Sequence, residues 1–257
     1  MSFLELNQVR FHVQELGPGA ESGESTPAFM AHGLLVDNLA SWYFGAAPRV
    51  ARDRRVVLYD LRGHGRSEAV PTGYDVATGA TDLAALVDAT SEGPVHLIGH
   101  SYGALVALRC ALDHPHLVRS LGLVEAPLPP SRLEEMRSIA TSDPKKLLAA
   151  LPEGLRGALL SGRRRAARAR KSLEFLLRES SLVADLAAEE DVADDQLARL
   201  DVPVQLIYGE RSSCRPVGDR LLAAFPQARL EVLDGGHYLS VERSAEVGEI
   251  LAGFLHG

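Results

Sequence analysis

The tightest constraint on this chain is a pentapeptide and its flanks. Gly99-His100-Ser101-Tyr102-Gly103 follows the apolar run Val95–Ile98 and opens the mostly apolar stretch SYGALVALRCALDH. A G-x-S-x-G pattern between a strand and a helix forces the serine into a strained turn with its hydroxyl outward. The flanking glycines remove side chains that would collide across that turn. Ser101 is therefore the candidate nucleophile. Tyr102 begins the following helix, so its amide has no intrahelical acceptor and can face developing negative charge.

The rest of the chain repeats this alternation. Short strands are expected near Phe3–Asn7 and Val9–Glu15, in PAFMAHG, at Val56–Tyr59, in LVRSLGLVEAP, in VPVQLIYG and in ARLEVLDGG. Helices are expected over residues 75–90, near Val217–Phe225 and from Ser244 to Phe254. Continuous apolar runs separated by helices imply a largely parallel sheet covered on both faces. From Pro127 to about Leu200 the texture is helical without a convincing strand. The expected organisation is one discontinuous core, residues 1–126 and 201–257, with a helical lid at 127–200 inserted before the penultimate core strand.

A serine nucleophile needs a base of near-neutral pKa. His237, in LDGGHYLSVE, follows the last strand and lies after the serine in the chain, which makes it the candidate base. A second oxyanion donor is also required. His32-Gly33-Leu34 follows a strand and can bring the Leu34 amide beside that of Tyr102, with His32 holding the loop rather than acting as a base. Arg62, His64 and Arg66 alternate with glycines, but no GKS or GKT follows, so a structural loop shaped by Asp60 and Arg62 is favoured over a nucleotide site.

Together these segments resemble the α/β-hydrolase superfamily, in particular its compact esterases, lactonases, C–C bond hydrolases and cofactor-free haloperoxidases. The resemblance rests on HGLLVDNLASW, YDLRGHGRS, GHSYG and DGGHYLSVE, in that order across the core. It implies a mostly parallel eight-stranded sheet flanked by helices, and a serine hydrolase without cofactor or metal. Family members usually carry their acid as G-x-x-D after the penultimate core strand. The matching stretch here is Gly209-Glu210-Arg211-Ser212, with serine where aspartate is expected. Glu125, which closes the strand RSLGLVE at the same sheet edge, is the favoured replacement, with Glu210 and Asp219 as alternatives. Epoxide and haloalkane chemistry are disfavoured, since those members use an aspartate where this chain has Ser101.

The expected substrate is an ester or thioester of a mainly apolar acyl group. C–C bond or lactone hydrolysis, acyl cyclisation and a non-catalytic binding role are the alternatives. Trp42, Met136 and Phe175 are candidate pocket residues, although Trp42 fits a core position equally well. The net charge of -7 argues against nucleic acid or an anionic membrane as the main partner. Against that balance, Arg163–Lys171 holds six basic residues and no acid. A solvated helical face is the simpler reading, and docking of an acidic carrier protein the functional one. Cys110 and Cys214 are too few for a structural zinc site on their own, and a disulfide is not expected. The opening MSFLELNQVRF lacks the features of a signal peptide, so a cytoplasmic location is expected.

Overall fold

The computed structural model describes residues 2–18, 25–128, 153, 156–157 and 161–256. Eight strands are present: β1 Ser2–Leu6, β2 Val9–Leu16, β3 Ala28–Ala31, β4 Val56–Tyr59, β5 Val95–His100, β6 Val118–Val124, β7 Val204–Gly209 and β8 Ala228–Leu233. They form one sheet in the order β1-β2-β4-β3-β5-β6-β7-β8. The pairs β1/β2 and β2/β4 are antiparallel and the remaining pairs parallel. Asn7 and Gln8 both take positive φ, 50° and 62°. That is the backbone a two-residue hairpin needs to match the strand twist.

Alternate strand residues feed two separate cores. Phe29, Tyr59, Leu97, Leu123 and Leu206 pack on one face with helices α1 (Val76–Thr90), α2 (Tyr102–Asp113) and α4 (Arg215–Ala224). Met30, Leu58, Ile98, Val124 and Ile207 pack on the other, under α5 (Ser244–His256) and beside Trp42 and Val50. Each of these five central strands therefore has both faces buried, which is why its sequence reads as an unbroken apolar run. Asp75 caps α1 by accepting from the Thr78 amide at 2.7 Å, one of the donors a helix start leaves without an internal partner. Four-residue helices at Ala40–Tyr43 and Ala47–Val50 were not foreseen, because one turn carries no repeat to detect.

Between β6 and β7 lie α3 (Arg163–Arg178) and two shorter helices, Leu182–Ala188 and Asp194–Leu197. Leu176 of α3 joins the first core, while Arg163, Arg164, Arg168, Arg170 and Lys171 are exposed. Met136 and most of 129–160 fall outside the described residues. No helix among the described residues is long and apolar enough to cross a membrane.

The sheet order sets where a ligand can sit. From β3 the chain moves outward to β4 on one side, and β5 lies on the other. Such a reversal opens a crevice at the carboxyl ends of the two central strands. The loop holding Gly33 leaves β3 there, and Ser101 leaves β5 there.

Candidate active site

Ser101 takes φ 53° and ψ -121°, a sparsely populated conformation that costs on the order of 1–3 kcal/mol. The flanking glycines show what permits it. A Cβ on Gly99 would lie 2.2 Å from the Gly103 carbonyl oxygen, and one on Gly103 would lie 2.4 Å from the Ala31 carbonyl oxygen. Any side chain at either position drives β5, α2 and β3 apart. Among the described residues no acceptor is bonded to the Tyr102 amide, and the same holds for Leu34. Gly33 packs against Ser101, since its own Cβ would sit 3.5 Å from that of Ser101. The two amides without partners thus belong to the residues that follow this Gly33–Ser101 contact in each loop.

His237 follows β8 and reaches the same point. Its Nε2 lies 2.9 Å from Ser101 Oγ, and its Nδ1 lies 3.2 Å from Glu125 Oε2. Glu125 stands one residue beyond β6, fully buried and at φ 55°. A buried carboxylate is costly unless bonded, and this one is bonded on both oxygens. The Gly209 amide donates to Oε1, and the Ser212 hydroxyl donates to Oε2. Ser212 is itself held by the Cys214 amide at 3.1 Å. The two alternative acids lie elsewhere: Glu210 is exposed, and Asp219 is exposed and paired with Arg215 at 2.6 Å.

Buried imidazoles hold the surrounding loops. His32 Nδ1 donates to the Gly33 carbonyl at 2.6 Å, while its Nε2 accepts from the Leu61 amide at 3.0 Å, tying the end of β3 to the end of β4. His64 donates from Nδ1 to the Arg62 carbonyl at 2.8 Å and accepts at Nε2 from the Leu35 amide at 2.9 Å. Burial, reinforced by the neighbouring His32, pulls its pKa down to about 4. Asp60 accepts from the Leu39 amide at 2.8 Å, the Arg66 amide at 2.9 Å and His12 at 2.7 Å, and Arg62 pairs with Asp82.

One linkage had no signal in the sequence. His100 Nε2 donates to the backbone carbonyl of His237 at 2.9 Å, and the two ring centroids lie 5.4 Å apart with the planes tilted by 39°. On its far side, His100 Nδ1 is 3.6 Å from Asp37 Oδ2, which accepts from the Gly33 amide at 2.8 Å. The length marks a charge contact rather than a full hydrogen bond. Burial alone would lower the His100 pKa, but the Asp37 carboxylate outweighs it and the net shift is upward. Asp37 is held well below the usual carboxylate range: burial opposes this, and the His100 and His32 rings with the Gly33 amide overcome it. The loop after β3 and the loop after β8 are thereby joined through the Asp37 carboxylate and the His100 ring.

The pocket candidates separate. Trp42 is fully buried in the second core, its indole N–H donating to the Ala31 carbonyl at 3.0 Å. It supports the elbow from below instead of lining a cleft. Phe175 is half-buried against the first core. Leu173, two residues earlier, packs on Leu35 and Val36 of the loop after β3 and on Tyr238, the neighbour of His237.

A family model described as alpha/beta hydrolase fold matches residues 29–244, and the chain belongs to that family as an enzyme of the α/β-hydrolase type. A Variovorax paradoxus relative, named provisionally as the carbamate hydrolase RutD, is 47% identical over 93 residues, 36% of this chain and 35% of that protein. The chain thus aligns with only about a third of the length of that relative, and a Stutzerimonas stutzeri protein of the same name is matched over 33% of its length. A Bacillus subtilis relative, named provisionally as 2-succinyl-6-hydroxy-2,4-cyclohexadiene-1-carboxylate synthase, is 27% identical over 96% of this chain and 95% of its own. Among solved structures, Est816, described as an N-acyl homoserine lactone degrading enzyme, is similar at a TM-score of 0.72, with 25% identity over 98% of this chain and 100% of its own.

Proposed function

We propose that this enzyme is a serine hydrolase that cleaves an ester or thioester of a mainly apolar acyl group through an acyl-enzyme. The observation that carries the reading is the unbroken relay from Ser101 Oγ through both nitrogens of His237 to Glu125. In the first half-reaction Ser101 attacks the carbonyl carbon while His237 Nε2 takes its proton. Glu125 holds the ring in the tautomer with hydrogen on Nδ1 and stabilises the imidazolium that forms. The Leu34 and Tyr102 amides receive the oxyanion, and losing one such donor costs roughly 3 kcal/mol of barrier. His237 then returns the proton to the leaving oxygen or sulfur. In the second half-reaction it activates water against the acyl-enzyme.

The apolar preference rests on Leu35 and Val36, which follow Leu34 in the chain and stay partly exposed, with buried Leu173 packed against them. A lactone is an internal ester and passes through the same steps, so the likeness to Est816 favours it as a second substrate class. The test pairs a fluorophosphonate probe with short nitrophenyl esters. Labelling and turnover that both vanish in Ser101→Ala support the reading. A folded wild-type protein that takes no probe of any size would instead be a binding protein.

A further inference from the structure

Cys214 is fully buried, outside any disulfide, and adjoins the relay. Its Sγ lies 3.6 Å from His237 Nδ1, the nitrogen that also stands 3.2 Å from Glu125 Oε2. All three donor atoms fall within 4.8 Å of one another. Tetrahedral zinc bonds sulfur at about 2.3 Å, imidazole nitrogen at about 2.0–2.1 Å and carboxylate oxygen at about 2.0–2.2 Å. Those bond lengths set a sulfur–nitrogen edge of about 3.6 Å and a nitrogen–oxygen edge of about 3.4 Å. Both separations lie within 0.2 Å of these edges, and the sulfur–oxygen pair falls within 4.8 Å.

We propose that Glu125, Cys214 and His237 form an inhibitory site for a thiophilic divalent cation of the zinc or cadmium kind. Thiolate and carboxylate together balance the cation's two charges, and thiolate selects it over magnesium or calcium. Binding releases one proton, from the Cys214 thiol, to solvent. The imidazole proton leaves Nδ1, which becomes a ligand, and returns to Nε2 through exchange with water. Nε2 then has no lone pair for the Ser101 proton, and Glu125 no longer orients the ring. The cation thus switches off the base by fixing the wrong tautomer. Its route in passes the His237 ring, whose side chain is 17% exposed while the Glu125 side chain is fully buried. The site is regulatory, and its effect on turnover rests on the serine-hydrolase reading above.

The test titrates cadmium chloride into the metal-free, reduced full chain and follows the ultraviolet thiolate-to-cadmium charge-transfer band alongside nitrophenyl-ester turnover. One equivalent should raise the band, turnover should fall at least tenfold in step with it, and a chelator should reverse both. In Cys214→Ser and Cys214→Ala, each compared with its own metal-free rate, the band should vanish and the half-inhibiting concentration rise at least tenfold. Absence of the band in wild type, or unchanged inhibition in the folded variant of the two, overturns the proposal. The band needs no turnover, so a failed site and a failed hydrolase reading give different results.

Discussion

The Ser212 hydroxyl donates to the Glu125 carboxylate from the position where related hydrolases usually carry their acid. Glu125 stands just past β6 rather than in the loop after β7, and the residue at that other place holds its carboxylate.

Replacing Glu125 by glutamine keeps the shape and removes the charge. Turnover should fall about 10³–10⁴-fold, as when a triad acid is neutralised elsewhere, while Glu210→Gln should change it less than twofold. Steady-state kinetics on a nitrophenyl ester checks both, and near-normal turnover in folded Glu125→Gln would remove the acid from the relay.

Ser212→Ala leaves a buried carboxylate oxygen short of a donor, a loss of about 1–3 kcal/mol measurable by urea unfolding. Ser212→Asp alone sets two carboxylates side by side, so one must hold a proton and stability should drop further. Combined with Glu125→Ser, the aspartate should restore turnover at least tenfold over Glu125→Gln. No recovery in the double variant would show that the two positions are not interchangeable.

His100→Ala removes the donor to the His237 carbonyl and the tilted ring beside it. A hydrogen bond of about 1.4 kcal/mol corresponds to a tenfold fall in kcat. Probe labelling of Ser101 should slow but still reach completion. Unchanged kcat with a structure superimposable on wild type would assign His100 to packing alone.

His64 predicts an acid limit. Its folded pKa is about 4, below the ordinary histidine value of 6.5, so the unfolded chain binds a proton the folded one refuses. Stability is therefore full above about pH 6.5 and declines as pH falls to about 4, by roughly 3 kcal/mol for this group. His96, also pulled down to about 4 by burial, Arg54 and Arg119, acts in the same direction. The folded reason is local: protonated Nε2 would confront the Leu35 amide it now accepts from. Unfolding midpoints between pH 7.5 and 4.5 should show a shallower slope in His64→Gln, and an equal slope would exclude it.

Much of this arrangement was legible in the chain. Ser101, Glu125 and His237 each follow an apolar run, and parallel strands bring such ends to one edge whatever lies between them. The bond of His100 to the His237 carbonyl was not legible, because it spans 137 residues and its acceptor is a backbone atom carrying no residue identity. Cys214 was hidden for a related reason: Glu125 and His237, whose donor atoms cluster with its sulfur, come from just past β6 and from the loop after β8. Trp42 could not be assigned to core or cleft, since aromatic character fits both and only the Ala31 carbonyl decides.

The contact of Gly103 with the Ala31 and His32 carbonyls has an engineering consequence. The Ser101 turn is welded into the two middle strands, whereas Leu173 reaches Leu35, Val36 and Tyr238 from a segment between β6 and β7. Grafting a different insertion should retune which molecules are accepted while the attacking oxygen stays where it is.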